Sequence, residues 1–167
     1  MLRDIRAALE AGAAGIVSGG LTADGRVDEA LLAMLVQAGD GAEFTFHRAI
    51  DAVDDQLSAL DTVIAGGVDR VLTSGGAARC SDGVHAIAAL VARASTRVEI
   101  QAGGGVTVAD IPSLVAVGVS GIHLSARRRV ISTRVGPGGG EANHDVADES
   151  LIAEAAATIQ TRSPGTA

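Results

Sequence analysis

Apolar and polar positions along the chain follow one repeating pattern, a short apolar run and then a helical segment. The apolar runs are centred near Val17, Thr45, Leu72, Ile100 and Leu124. These centres recur at a nearly even interval, and the segments between them carry apolar residues at helical spacing. Strands that alternate with helices at this period predict right-handed βαβ units and a parallel sheet.

The helical segments show recognisable faces and ends. The chain opens on a predicted helix over residues 2–11, with no strand before it. The next two helices are predicted to bury one apolar face each, formed by Val27, Leu31, Met34 and Leu35, and by Leu57, Leu60, Val63 and Ile64. Left-handed helix ends are predicted at glycines, namely Gly12, Gly39, Gly66 and Gly118.

Polar residues alternate with apolar ones along the strands, as in Glu43, Thr45 and His47 against Phe44 and Phe46. A central strand of an open doubly wound sheet is apolar on both faces, whereas the interior of a barrel accepts a polar row near its ligand. We therefore predict an α/β protein of the TIM-type (β/α)8 barrel class. Five strands are present, so about three N-terminal strands are lacking.

The whole chain, 1–167, is predicted to be a single partial (β/α) barrel domain, with 134–146 as a Gly-rich loop before the C-terminal helix. Three explanations of the short N-terminus stay open: a truncated reading frame, a misassigned start codon, or a partner that completes the barrel. A sheet with unpaired edges associates with other chains, so a homo-oligomer is expected.

Composition narrows the function classes. The formal net charge is −7, only two residues are aromatic, and all 13 basic residues are arginine. An acidic chain without stacking aromatics is not expected to bind nucleic acid, and the basic stretch at 126–130 is predicted to be a surface or anion-facing loop. Because the chain has no lysine, Schiff-base chemistry on a side chain is excluded. No other reaction can be assigned or excluded.

The single cysteine, Cys80, rules out an internal disulfide and suits a reducing compartment. The chain has no apolar run long enough for a transmembrane helix and no apolar signal-peptide segment near Met1. A cytoplasmic protein without a membrane partner is the expectation.

Five motifs follow one another along the chain: "GLTADGRVD" (20–28), "TFHRAID" (45–51), "DRVLTSGG" (69–76), "AGGGV" (102–106) and "IHLSARR" (122–128). Together they closely resemble the CutC family of copper homeostasis proteins, from about Arg3 to the C-terminal helix. The resemblance implies a cytoplasmic TIM-type barrel, usually dimeric, with a role in copper homeostasis and copper ion binding. The family's cysteines credited with copper binding lie in N-terminal strands that this chain does not match.

Candidate site residues collect at the predicted strand ends, which in a parallel barrel form the ligand-binding mouth. His47 and His123 could ligate a metal, shuttle protons or bind an anion, or could be hydrogen-bonded inside a polar barrel. Arg48 could clamp a carboxylate or phosphate, or form an ion pair with Asp51 or Asp54. Copper is the metal considered for His47 and His123.

Glycine-rich turns supply a second group of candidates. Gly103, Gly104 and Gly105 precede a predicted helix, and Ser125 ends the next strand, where barrels often bind phosphate; tight-turn geometry is the alternative. Thr73 and Ser74 end another predicted strand before a pair of glycines, so they are also candidates for binding an anion. Cys80 could bind Cu(I), although as a lone thiol it is a weak site.

Deeper on the same face, Glu43 and Glu99 are predicted to pair with Arg70 more readily than to perform acid–base chemistry. Three hypotheses for the function remain: a CutC-like protein associated with copper, a barrel enzyme or binding protein for a small phosphorylated or carboxylated ligand, and a non-functional truncated fragment. The physiological ligand is not identified by the sequence.

Overall fold

The computed structural model describes residues 1–131 and 143–160, and its elements alternate as the pattern predicts. The main sheet consists of β1 (Gly15–Ser18), β2 (Glu43–Phe46), β3 (Arg70–Thr73), β4 (Glu99–Gly103) and β5 (Gly121–His123). The helices are α1 (Leu2–Glu10), α2 (Glu29–Ala38), α3 (Gln56–Ala65), α4 (Val84–Ala94), α5 (Ile111–Ala116) and α6 (Glu149–Gln160). Short 3-10 turns at Arg48–Ala52, Cys80–Gly83 and Val108–Asp110 follow β2, β3 and β4.

The five strands are all parallel and lie in the order β1-β2-β3-β4-β5. A doubly wound sheet reverses its strand order at a switch point, whereas a barrel adds each strand beside the last. The sequential order therefore confirms the (β/α) barrel class with five strands. Within the described residues β1 pairs only with β2, and β5 only with β4, so the sheet has two open edges.

One face of the sheet packs under the helices and forms the core. Phe44, Phe46, Val71 and Ile100 of the strands are buried, at 2% exposure or less. The helices cover them with buried aliphatic residues, namely Leu32, Leu35, Leu60, Val63, Ile87, Leu90 and Leu114. With two aromatic side chains in the whole chain, this core is almost entirely aliphatic.

Most of the two predicted helix faces is confirmed, since Val27, Leu35, Leu60 and Val63 are buried. One residue of each face is wrong. Met34 and Leu57 are exposed, at 48% and 41%, whereas Leu32 and Ala59 are buried in their place. In α2 the start of the helix sets the buried face, because Asp28 caps the helix by accepting a hydrogen bond from the Leu31 backbone N–H at 2.9 Å. Val27 is therefore buried outside the helix, and the buried face begins at Leu32.

The predicted left-handed helix ends are confirmed at Gly12 and Gly118, where φ is +93° and +86°. They are wrong at Gly39 and Gly66, which keep right-handed backbone with φ of −69° and −73°. The chain turns a little later in both places, through left-handed glycines at positions 41 and 67.

The opposite face of the sheet is open and polar. Arg70 of β3 lies between Glu43 of β2 and Glu99 of β4, with Nη2 at 2.5 Å from Glu43 Oε1 and 2.6 Å from Glu99 Oε2. The predicted pairing of both glutamates with Arg70 is confirmed. Hydrogen bonding to Glu99 outweighs partial burial and raises the pKa of Arg70. Both glutamates are about half exposed, so the ladder stabilises the fold only modestly.

A separate antiparallel pair follows the main sheet. β6 (Arg127–Val130) pairs with β7 (His144–Ala147), with Arg129 opposite Asp145. The prediction of a loop over 126–130 is therefore wrong for 127–130, and the Gly-rich loop predicted over 134–146 is wrong for 144–146. Both segments obtain backbone hydrogen bonds by pairing with each other. Residues 134–142 of that predicted loop lie outside the described part of the chain.

Among the helices in 1–131 and 143–160, none combines the length and the apolar composition that crossing a bilayer requires.

Candidate functional site

The carboxyl ends of β2 to β5 surround a small cavity of about 210 Å³. Its walls are formed by Arg48, Leu72, Gly104, Gly105, Val106, His123 and Ser125. Five of these were predicted as site residues from the sequence: Arg48, Gly104, Gly105, His123 and Ser125. The volume lies below the usual range for drug-sized ligands, which begins at about 300 Å³, and suits a single phosphate or carboxylate group.

Arg48 is held in place at the start of the 3-10 turn after β2. Its Nε lies 2.7 Å from Asp51 Oδ2, and its Nη2 donates to Ser74 Oγ at 2.6 Å. The ion pair that the sequence offered as an alternative is therefore present. It leaves Nη1 without a hydrogen bond to any described residue, so the restrained guanidinium keeps one free donor group.

Gly104 lies directly against this guanidinium. A Cβ atom at position 104 would lie 2.9 Å from Cζ and Nη1 of Arg48 and 3.1 Å from Ser74 Cβ, and φ is +118°. Only glycine combines this backbone with such a close approach. The Gly104 carbonyl accepts a hydrogen bond from the Cys80 N–H at 2.8 Å. Within the described residues, the N–H groups of Gly104 and Gly105 donate to no acceptor.

The sequence predicted a helix directly after the glycine turn, but a 3-10 turn comes first. Thr107 and Asp110 form a capping box around a 3-10 turn, with the Thr107 N–H 2.8 Å from Asp110 Oδ2. α5, which follows, has only six residues. The amides available at the cavity are therefore those of the turn itself, and the helix contributes little.

Asp51 is the hub of the loops around the cavity. Its carboxylate accepts hydrogen bonds from Thr73 Oγ1 at 2.5 Å, from the Ser74 N–H and Oγ at 3.0 and 2.9 Å, and from the Gly76 N–H at 3.1 Å. Burial alone would raise the pKa of Asp51, but hydrogen bonds from Thr73, Arg48 and the backbone outweigh it and lower the pKa below its ordinary value. Asp51 is therefore ionised and holds the turn after β3 against Arg48.

Thr73 and Ser74, both predicted as ligand contacts, are completely buried. Ser74 Oγ lies 2.6 Å from the Ala77 carbonyl oxygen as well as close to Arg48 and Asp51. The structure places these hydroxyls behind Arg48 as its support, and neither lines the cavity.

His47 also lies away from the cavity walls. Its Nδ1 accepts a hydrogen bond from the Ala49 N–H at 3.2 Å, so the ring caps the 3-10 turn. The ring packs edge-on against Phe46, with centroids 5.8 Å apart. Gly103 is buried beneath the cavity, where a Cβ would come 2.6 Å from Leu72 Cδ1.

Cys80 is completely buried behind the site. Burial, assisted by the charges of Asp110 and Asp51, raises the pKa of its thiol. Over the described residues, no three or more His, Cys, Asp or Glu side chains come together as a metal site would require. These residues do not fit a copper centre, since Cu(I) requires accessible soft ligands close to one another.

Two residues that matter here were not singled out as site residues by the sequence. Asp51 was considered only as a partner of Arg48, and its three-residue spacing from Arg48 was the available signal. Arg79, whose Nη2 donates to the Gly105 carbonyl oxygen at 3.3 Å, gave no sequence signal.

Comparison with known proteins identifies the family. A family model described as "CutC family" matches residues 1–128. The chain belongs to the CutC family. A family protein CutC from Glaesserella parasuis is 37% identical over 160 residues, which cover 91% of this chain and 66% of the relative.

Solved structures agree with this family membership. The crystal structure of a CutC from Streptococcus agalactiae, provisionally named a copper homeostasis protein, has a TM-score of 0.69 and 31% identity, over 73% of this chain and 60% of that chain. A protein described as "QR15, an Aldolase" matches 72% of this chain with a TM-score of 0.61 and 19% identity, which shows a shared fold alone.

The chain spans between half and two thirds of the length of the CutC relatives. All residues around the cavity, from Arg48 to Ser125, fall inside the segment that the CutC family model matches.

Proposed function

We propose that this CutC-family chain binds a small phosphorylated or carboxylated ligand at the carboxyl ends of β2 to β5. The observation that carries the proposal is the position of Arg48, whose guanidinium is fastened by Asp51 and Ser74 and presents Nη1 beside the Gly104 turn. A guanidinium whose geometry is already set loses little conformational entropy when it binds an oxyanion.

The neighbouring groups are suited to the same ligand. The Gly104 and Gly105 N–H groups lie in the turn after β4 and donate to no acceptor among the described residues, so they are available to an anion. The exposed His123 and Ser125 add donors on the β5 side of the cavity. Phosphate and carboxylate share the oxygen chemistry that these groups recognise.

Replacing Arg48 with alanine is expected to weaken phosphate binding by roughly 1–3 kcal/mol, because a charged hydrogen bond to the anion is lost. The measurement is a titration with inorganic phosphate, and separately with acetate, followed by amide NMR of the 167-residue chain. Wild-type shifts should concentrate at Gly104, Gly105 and Ser125.

The matched control is Arg26→Ala, which removes the same charge from a side chain that is 80% exposed and pairs with Asp24 in another loop. It should leave the phosphate affinity unchanged. Unshifted amides at Gly104 and Ser125 in the wild-type protein would refute the site. Equal losses in the two variants would show that only net charge matters.

Copper homeostasis is a second candidate, favoured by the name of the Streptococcus agalactiae relative. A cytoplasmic location is part of this proposal, in line with the single cysteine. The cavity supplies hard nitrogen and oxygen donors, and the only thiol is buried. Copper binding by this chain is therefore proposed as an association of low affinity.

Cu(I) is expected to bind weakly and without strong dependence on Cys80, because the thiol is buried and its pKa is raised. Competition against a Cu(I) chelator, for wild type and Cys80→Ser, measures this. Tight stoichiometric binding that disappears in Cys80→Ser would contradict the expectation and would make copper the primary function.

A further inference from the structure

Arginine side chains line the rim of the cavity as well as its wall. Arg79 lies beside Gly105, where its Cγ would be 3.8 Å from a Cβ at that position and its Nη2 donates to the Gly105 carbonyl oxygen. It is exposed, and within the described residues it pairs with no carboxylate. One free guanidinium charge therefore borders the cavity on the β4 side.

Three more arginines lie on β6, which begins two positions after Ser125 on the β5 side of the cavity. Ser125, which lines the cavity, accepts a hydrogen bond through its carbonyl oxygen from the Arg127 N–H at 2.9 Å. Ser125 and Arg127 are two positions apart along the chain, so the distance between their Cα atoms is at most about 7.6 Å. The Asp148 N–H donates to the Ala126 carbonyl oxygen at 3.0 Å, which fastens this connection from the other side. β6 therefore begins at the cavity.

The charges on β6 are only partly balanced. Arg127 lies 3.1 Å from Asp145 of β7, whereas Arg128 and Arg129 pair with no carboxylate in the described part of the chain. All three are exposed. Strand alternation places Arg128 on one face and Arg127 with Arg129 on the other, so β6 presents a guanidinium on each side. On a chain of net charge −7, this is a local concentration of positive charge.

We propose that the ligand carries two anionic groups, as a diphosphate or a bisphosphate does. One group binds at Arg48 and the Gly104 turn, and the second is held by the one of Arg128 and Arg129 that faces the cavity. This rests on the proposed function, since the inner group uses the cavity described above. A ligand with a single anionic group can accept hydrogen bonds from Nη1 of Arg48 and from the turn amides. Arg128 and Arg129 would then remain without an anionic partner.

The test compares inorganic phosphate, inorganic pyrophosphate and fructose 1,6-bisphosphate by calorimetric titration of the 167-residue chain at one ionic strength. At least one of the two doubly anionic probes should bind about ten- to a hundred-fold tighter than inorganic phosphate. The double variant Arg128→Ala with Arg129→Ala should lose that gain and keep the affinity for inorganic phosphate. Arg127 is left in place because it pairs with Asp145.

The control double variant is Arg3→Ala with Arg6→Ala, which removes two exposed arginines from α1. It should keep the whole gain in affinity for the doubly anionic probes. If the gain came only from nonspecific attraction to positive charge, it would fall equally in both double variants. Equal affinities for all three probes, or a gain that survives the loss of Arg128 and Arg129, would overturn the inference while phosphate binding stands. Absence of inorganic phosphate binding would instead overturn the proposed function.

Discussion

Gly83→Ala is expected to lower the free energy of unfolding by more than about 3 kcal/mol, as severe overpacking in a buried site does. A Cβ at position 83 would overlap the Ser74 carbonyl oxygen and lie 2.9 Å from its carbon. Neither backbone can move aside easily, because the Ser74 N–H is bonded to Asp51 and Gly75 already packs against Gly83. Urea denaturation followed by far-UV circular dichroism measures the loss.

Gly121→Ala is the control, because the nearest atoms to its added Cβ are side-chain atoms of Gln101 at 3.6 Å, an ordinary contact. It should change the free energy of unfolding by less than about 1 kcal/mol. A Gly83→Ala protein as stable as Gly121→Ala would mean that the turn after β3 does not pack against the start of α4 as described.

Asp51→Ala is expected to cost about 2–4 kcal/mol of stability and to weaken phosphate binding as well. The substitution leaves buried donors on Thr73 and Ser74 without their acceptor, and each unsatisfied group costs about 1–3 kcal/mol. It also frees Arg48 from its ion pair. Asp54→Ala, at an exposed neighbouring carboxylate, should change both quantities little. Urea melts and phosphate titrations of the two variants decide between these outcomes.

The same carboxylate gives this loss a defined pH dependence. Because the pKa of Asp51 is lowered in the folded protein, its contribution is complete above the ordinary value of 3.8 and disappears as the pH falls through the folded-state value. The difference in stability between wild type and Asp51→Ala should therefore be constant near neutral pH and shrink below about pH 4. A difference that is unchanged at the lowest accessible pH would contradict an ionised Asp51 hub.

The barrel class could be predicted because each strand and helix carries its own local signal. The polar positions Glu43 and Glu99 predicted a side of the sheet that faces a barrel interior, and on that side Arg70 pairs with both glutamates. Five cavity residues could be predicted because parallel strands end at one edge, so residues after strand ends converge without knowledge of any single contact.

The remaining features depend on contacts between residues that are distant in sequence. β6 reads as three arginines and a valine with no alternation of apolar and polar positions, and its partner β7 begins only at His144, well beyond the end of β6 at Val130. Asp51 lies in a turn, and its role arises from the loop after β3, which is separated from it by the whole of α3. Neither the pairing of β6 with β7 nor the contact of Asp51 with the loop after β3 follows a periodic pattern that the local sequence could show.

The Glu43–Arg70–Glu99 ladder also bears on how the strands find their alignment. Arg70 is directly opposite Glu99, and it lies beside Thr45, two residues after Glu43. A slip of β3 by one residue would turn Arg70 towards the aliphatic side under the helices and would bring Val71 to the wet side. That misalignment buries an unpaired guanidinium under the helices and leaves both carboxylates on the open face without their partner. The ladder adds little to the free energy of unfolding. It raises the free energy of strand registers that are shifted by one residue, so its contribution is to the uniqueness of the fold.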